Sequence, residues 1–190
     1  MSHKDTTWNQ NKAEQIIKEL RQADQILVGI GGGFTSAAGV EPLPLDKSLS
    51  REQYWPFWLP YIDKQRLNKD VPVLYQQLAQ LLQGKDYFVI DSNADGFLLR
   101  SGLEISRIYK AQGDMARVQC KDNCCNQSWI GKQHFDRLRQ ETDYLPVCPS
   151  CGQPLVMNVY TGKKFCDEPY LEKNEAYFRF INGSAHNRLA

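Results

Sequence analysis

The sequence is almost without net charge: 23 Lys and Arg face 22 Asp and Glu, leaving +1 over 190 residues. A basic excess that would mark a nucleic-acid or anionic-membrane partner is therefore lacking. No apolar run reaches the length that spans a bilayer. The opening residues, MSHKDTTWNQNKAEQ, lack the apolar stretch of a secretion signal. Internal repeats and low-complexity tracts are absent as well. The expectation is a cytoplasmic chain that binds neither nucleic acid nor membrane. Its oligomeric state is not set by the sequence. Hydrophobic residues make up 42% of the chain, enough for one core, with or without a small satellite module.

Glycine, by contrast, is concentrated. In ILVGIGGGFTSAAGV, Ile26 to Val40, four of the five residues from Gly29 to Gly33 are glycine. QILVGI reads as a short buried strand and FTSAAGV is compatible with a helix, which is the order of a phosphate-binding βα unit. A strand that delivers Gly29, Gly31, Gly32 and Gly33 to a helix N-terminus offers bare N–H groups and the positive end of a helix dipole. Thr35 and Ser36 add hydroxyls, and Gly39 lets the helix pack closely. Taken alone, the run serves a nucleotide loop or a structural turn equally well.

Around it, Ala13, Ile16, Ile17, Leu20 and Ala23 recur at helical spacing and predict an amphipathic helix from about Asn11 to Gln22. Residues 41–70, with VEPLPL and YWPFWLP, read as an irregular, aromatic-rich cover. Leu74, Leu78, Leu81 and Leu82 mark a further helix, stopped by Gly84. DYFVIDSN predicts a second buried strand whose polar end lies where open α/β sheets bind ligands. ISRIYKA is a candidate third strand.

Six cysteines in a chain without a secretion signal suggest metal or reactive thiols before disulfides. Cys148 and Cys151, followed by Gly152, form a zinc-knuckle half-site. Cys120 with Cys124, or with Cys125 as the alternative, forms the other. A structural zinc on two such halves is the expectation, against a set of free cysteines. Cys166 has no partner in sequence and reads as a small apolar residue. The composition changes here, and an inserted module is placed at about 115–160.

Further motifs fall into order with these. Ser92 to Gly96 reads SNADG, and Gln112-Gly113-Asp114 precedes the cysteine module. Strand, glycine loop and helix, then Asn-x-Asp-Gly, then x-Gly ahead of four cysteines, resembles the sirtuins over roughly residues 10–180. Most sirtuins have a catalytic His where this chain has Gln112. The macrodomain-linked, class M sirtuins carry QGD here, and their glycine loop is similar to Gly29-Ile30-Gly31-Gly32-Gly33-Phe34-Thr35-Ser36-Ala37-Ala38-Gly39.

The resemblance implies an α/β fold: a Rossmann-like, sirtuin-type parallel sheet with an inserted zinc module. A sirtuin-type domain would cover 1–190, with the NAD-binding part at 11–114 and 161–190 and the zinc module at 115–160. It implies NAD and zinc, and NAD-dependent ADP-ribosyl transfer to a protein, in class M often a lipoylated carrier protein. By resemblance, Gly29, Gly31, Gly32, Gly33, Phe34, Thr35, Ser36 and Ser92 belong to the cofactor site. Asn93 would bind the nicotinamide ribose and hold NAD in its reactive conformation, Asp95 would shape the nicotinamide pocket, and Gln112 would stand at the position of the family's His. An amide cannot act as a base near neutral pH, so Gln112 disfavours the alternative of NAD-dependent deacylation. Transfer asks mainly for positioning and electrostatics. Two departures from the family remain. FINGSAHNRLA closes the sequence without the further strands that bind adenosine, so the sheet is expected to be incomplete at the C-terminus. VEPLPLDKSLSREQYWPF also shows no recognisable acidic-aromatic loop. The first of these favours a third reading, a non-catalytic binding module.

Overall fold

The computed structural model describes residues 10–44, 48–67 and 69–183. Residues 1–9, read above for a secretion signal, and 184–190, the end of the expected 161–190 part, lie outside them.

Two three-stranded sheets organise the chain. The first is parallel, in the order β1-β2-β3, with β1 Gln25–Ile30, β2 Asp86–Asp91 and β3 Ile108–Lys110. β1 and β2 run in register from Gln25 opposite Asp86 to Ile30 opposite Asp91, so both strands end at one level. Parallel neighbours need a long crossover. Part of it is helix α4, Val73–Leu82, which buries Tyr75 and Leu82 against Ile26, Val89 and Phe97. The third strand is shorter than ISRIYKA suggests, because Ile105–Arg107 forms a 3-10 turn first.

Helix α1, Gln10–Gln22, precedes β1. Its stripe is only half used: Leu20 packs on the first core, while Ile16 and Ile17 are 45% and 48% exposed. After β1 comes the short helix α2, Gly32–Ala37.

The aromatic segment is not irregular. It forms helix α3, Arg51–Ile62, which loosens into a π-turn at Asp63–Leu67. A capping box starts it: Ser50 Oγ accepts from the Gln53 backbone N–H, and Gln53 Oε1 accepts from the Ser50 N–H. Pro56 and Pro60 each remove a ladder donor, at a cost of about 3 kcal/mol apiece in an ordinary helix interior. Burial of Trp55, Trp58, Leu59 and Ile62 offsets this, each large apolar side chain contributing about 1.5–3 kcal/mol. Apolar residues surround the helix, so no 3.6-residue stripe betrays it in the sequence.

The second sheet is antiparallel, order β5-β4-β6, with β4 Gly113–Cys120, β5 Ser128–Ile130 and β6 Leu155–Val159. α3 packs on this sheet, with Trp55 and Trp58 beside Met115, Val118 and Leu155. Trp55 Nε1 donates to the Leu155 carbonyl, and Tyr54 Oη accepts from the Met157 N–H. Helix α5, Lys132–Gln140, adds Phe135 to the same core. Helix α6, Leu171–Gly183, returns to the first sheet, placing Tyr177 and Phe180 against Phe88. Only Ala111 and Gln112 separate β3 from β4, so the two sheets meet at Gln112. Among the described residues, no helix is long and apolar enough to cross a membrane.

Candidate functional site

The glycine loop and the Asn-x-Asp-Gly loop leave adjacent strand ends. Both the N–H and the hydroxyl of Ser92 donate to the Ile30 carbonyl at 2.9 Å. A Cβ on Gly31 would lie 3.2 Å from Ser92 Oγ, so the loops run close together here. At this end opens a cavity of about 160 Å³. Gly32, Thr35 and Ser36 reach it from α2, Ser92, Asn93 and Asp95 from the loop after β2, and Gln112 from the junction of the sheets. The other expected residues lie beside it. Gly31 and Gly33 flank Gly32 at the start of α2, and Gly29 lies exposed within β1. The Phe34 ring meets Tyr75 edge-on at 5.0 Å, toward the first core.

Tyr61, Met115 and Val159 also line the cavity, and sequence reasoning did not single them out. They come from α3 and the second sheet, and no local pattern links them to the glycine loop. The Tyr61 hydroxyl donates to the Glu41 carbonyl at 2.8 Å. Burial, with Asp95 and Glu41 nearby, pushes its pKa up to about 12, so it stays protonated.

Asp95 is 3% exposed, and its carboxylate accepts from Tyr75 Oη at 3.1 Å and from the Phe97 N–H at 2.9 Å. It shapes its loop through these bonds. Gly96 follows with φ +68°, and a Cβ there would sit 2.5 Å from Arg66 Nε. Arg66 in turn pairs with buried Asp114 at 3.5 Å. Asn93 Nδ2 is buried and has no hydrogen-bond partner among the described residues. An unmet buried donor costs about 1–3 kcal/mol, which an acceptor on a ligand in this cavity would relieve. The observation fits a ligand rich in oxygen acceptors, such as a ribose.

Gly113 explains the glycine after Gln112. Its φ is +87°, and a Cβ would collide with the Asn158 carbonyl of β6. We expect Gly113→Ala to destabilise the fold by about 2–4 kcal/mol, from left-handed strain plus overpacking. A urea titration checks this, and an unchanged midpoint would contradict it.

The cysteines converge as a cluster. Cys120, Cys124, Cys148 and Cys151 have their Sγ atoms within 4.8 Å of one another. The Cys120–Cys151 and Cys124–Cys148 pairs are each 3.6 Å apart. A tetrahedral zinc with bonds of about 2.3 Å would place its sulfurs about 3.8 Å apart, so the donor set fits. Burial opposes ionisation of Cys148, but the backbone N–H groups of Ser150 and Cys151 and the neighbouring thiols bring it down to about 6. Cys125 is outside the cluster and packs on the second core. Cys166 is fully buried.

A larger cavity of about 440 Å³ shares Leu43 and Val159 with the first. Trp58, Tyr54 and Met157 line it with apolar surface, and Arg51, Lys121 and Lys163 add positive charge. Trp58 Nε1 is buried without a partner among the described residues.

This architecture, a parallel sheet with a four-cysteine antiparallel module, is the sirtuin fold. A Sir2–p53 peptide–NAD⁺ structure superposes with a TM-score of 0.66 at 17% identity, covering 92% of this chain and 72% of that one. A Sir2 homologue variant in complex with 2′-O-acetyl ADP-ribose gives 0.62 at 20% identity, covering 88% and 70%. In sequence, the chain is 26% identical over 177 residues to a protein ADP-ribosyltransferase of Staphylococcus aureus strain Mu50, covering 77% of this chain and 56% of that protein. It is 26% identical over 190 residues to a Fusarium oxysporum f. sp. cubense protein named "Probable bifunctional ADP-ribose hydrolase/ADP-ribosyltransferase", covering 80% and 32%. The chain thus spans about half or less of the length of these curated relatives. No protein-family profile matches it. It is sirtuin-like in fold, and its curated relatives carry the name ADP-ribosyltransferase.

Proposed function

We propose that this chain is an NAD-dependent ADP-ribosyltransferase of the sirtuin type that acts on a protein in the cytoplasm. The observation that carries the reading is Asn93. Its carboxamide nitrogen is buried without a hydrogen-bond partner among the described residues, and the residue lines a cavity together with the glycine loop and Gln112. NAD would supply the ADP-ribosyl group and nicotinamide as the leaving group. The glycine loop and Ser36 would hold the phosphates, Asn93 the nicotinamide ribose, and Asp95 the shape of the pocket. Cys120, Cys124, Cys148 and Cys151 would hold a structural zinc. The acceptor's nucleophile bonds to the ribose and gives up its own proton, because Gln112 has none to exchange near neutral pH and can only orient by hydrogen bonding. The adjoining apolar cavity, with Arg51, Lys121 and Lys163, suits an acidic acceptor carrying an aliphatic arm, and a lipoylated carrier protein is such an acceptor.

The test is the wild-type protein with NAD labelled in the ADP-ribose portion, offered a lipoylated carrier protein and, separately, an acetyl-lysine peptide. Nicotinamide release with label on the carrier is expected, and no deacetylation. Robust deacetylation by the wild type would overturn the transferase reading. Loss of neither NAD nor acetyl group, with the cysteine module intact, would leave a binding module. Gln112→His introduces a group that titrates near neutrality, and any deacetylase activity it gains would confirm what position 112 controls.

A further inference from the structure

A buried ion pair grips the backbone of Asn93 at both ends. Asp91 closes β2, Lys110 closes β3, and the two are register partners in the parallel sheet. They are 1% and 4% exposed, and Lys110 Nζ lies 3.1 Å from Asp91 Oδ2. The other carboxylate oxygen, Asp91 Oδ1, accepts the Asn93 N–H at 2.9 Å. Lys110 Nζ also donates to the Asn93 carbonyl at 3.0 Å. One pair of opposite charges thus satisfies both backbone groups of one residue.

Strand pairing at these ends does not rest on this pair alone, although Lys110 also faces the buried carboxylates of Asp114 and Asp95. The strand ends are already joined by the β2–β3 ladder and by Ser92 on Ile30. A buried ion pair can often be exchanged for apolar residues of similar volume at no loss of stability. What the pair fixes is the frame from which the Asn93 side chain projects. With N–H and C=O both held, only the two side-chain torsions remain, and among the described residues no acceptor meets Nδ2. A site that must present one carboxamide within about 0.5 Å of a productive position needs such support.

We propose that Asp91 and Lys110 are positioning residues for Asn93, locking its backbone so that its carboxamide faces the cavity in one orientation. The catalytic side of this role rests on the NAD-cleaving reading above. The experiment uses the full chain in two double variants. Asp91→Leu/Lys110→Met removes both backbone bonds but keeps volume. Asp91→Asn/Lys110→Met keeps an acceptor for the Asn93 N–H, and it serves alone if the first does not fold. Amide hydrogen exchange followed by NMR needs no turnover. The Asn93 amide should exchange about tenfold faster or more in the Leu/Met variant, and less so in the Asn/Met variant, with the β1 and β2 ladders still protected. For nicotinamide release, kcat should fall about tenfold or more, in the same order, with KM for NAD nearly unchanged. Unaltered Asn93 exchange, or a wild-type kcat in a variant whose Asn93 amide has become labile, would overturn the proposal. Should the wild type itself release no nicotinamide, the NAD-cleaving reading fails, and the exchange measurement still decides whether the pair holds Asn93.

Discussion

Asn93→Ala is expected to lower nicotinamide release and ADP-ribosyl transfer by about two orders of magnitude or more, the loss typical of a removed positioning or transition-state group. The same change should leave stability almost untouched. Nδ2 has no partner among the described residues, so its removal orphans none of them, and it takes away a buried donor that is unmet without ligand. The backbone contacts to Asp91 and Lys110 do not depend on the side chain. Initial rates at saturating NAD, set beside a thermal melt, check both halves of the statement. Activity within a few fold of wild type would rule out this role for Asn93.

Removing metal is expected to have the other large effect. One zinc per chain should be found on Cys120, Cys124, Cys148 and Cys151, and a strong chelator should unfold the second sheet. Structural zinc contributes about 10–16 kcal/mol in small cysteine modules at neutral pH. The cavity should be lost with it, because Tyr61, Met115 and Val159 belong to α3 and the second sheet. Transferase activity should therefore vanish on chelation although the cysteines supply no wall of that cavity. Elemental analysis and near-UV circular dichroism measure the two events. Cys124→Ser should abolish zinc retention and Cys125→Ser should not. Purified protein holding well under one zinc would sink the assignment.

How far these features could be read from residues alone depended on whether they are local. β1, the glycine loop and β2 are contiguous patterns, and the structure bears out the parallel sheet and its polar strand ends. The cysteine half-sites were legible for the same reason, but spacing allowed Cys124 or Cys125 equally, and only the folded turn shows which thiol reaches the cluster. Helix α3 was hidden by its own composition. Two prolines and apolar residues on every side erase the helical period, and what makes it a helix is the second core that it helps to build. The Asp91–Lys110 pair was invisible because each residue alone looks like a solvated strand end. Parallel pairing across a long crossover is what sets one against the other.

The placement of aromatic residues also decides how this protein can be watched. Trp55, Trp58 and Trp129 all lie in or against the second core, while the first core is lined by tyrosine and phenylalanine. Trp8 lies outside the described residues. Emission from those three indoles therefore reports on the cysteine-bearing half. A melt followed at 350 nm or so would register the departure of metal and could miss loosening of the glycine loop altogether. Phe34 and Tyr75 ring resonances would be the magnetic handle on the other half.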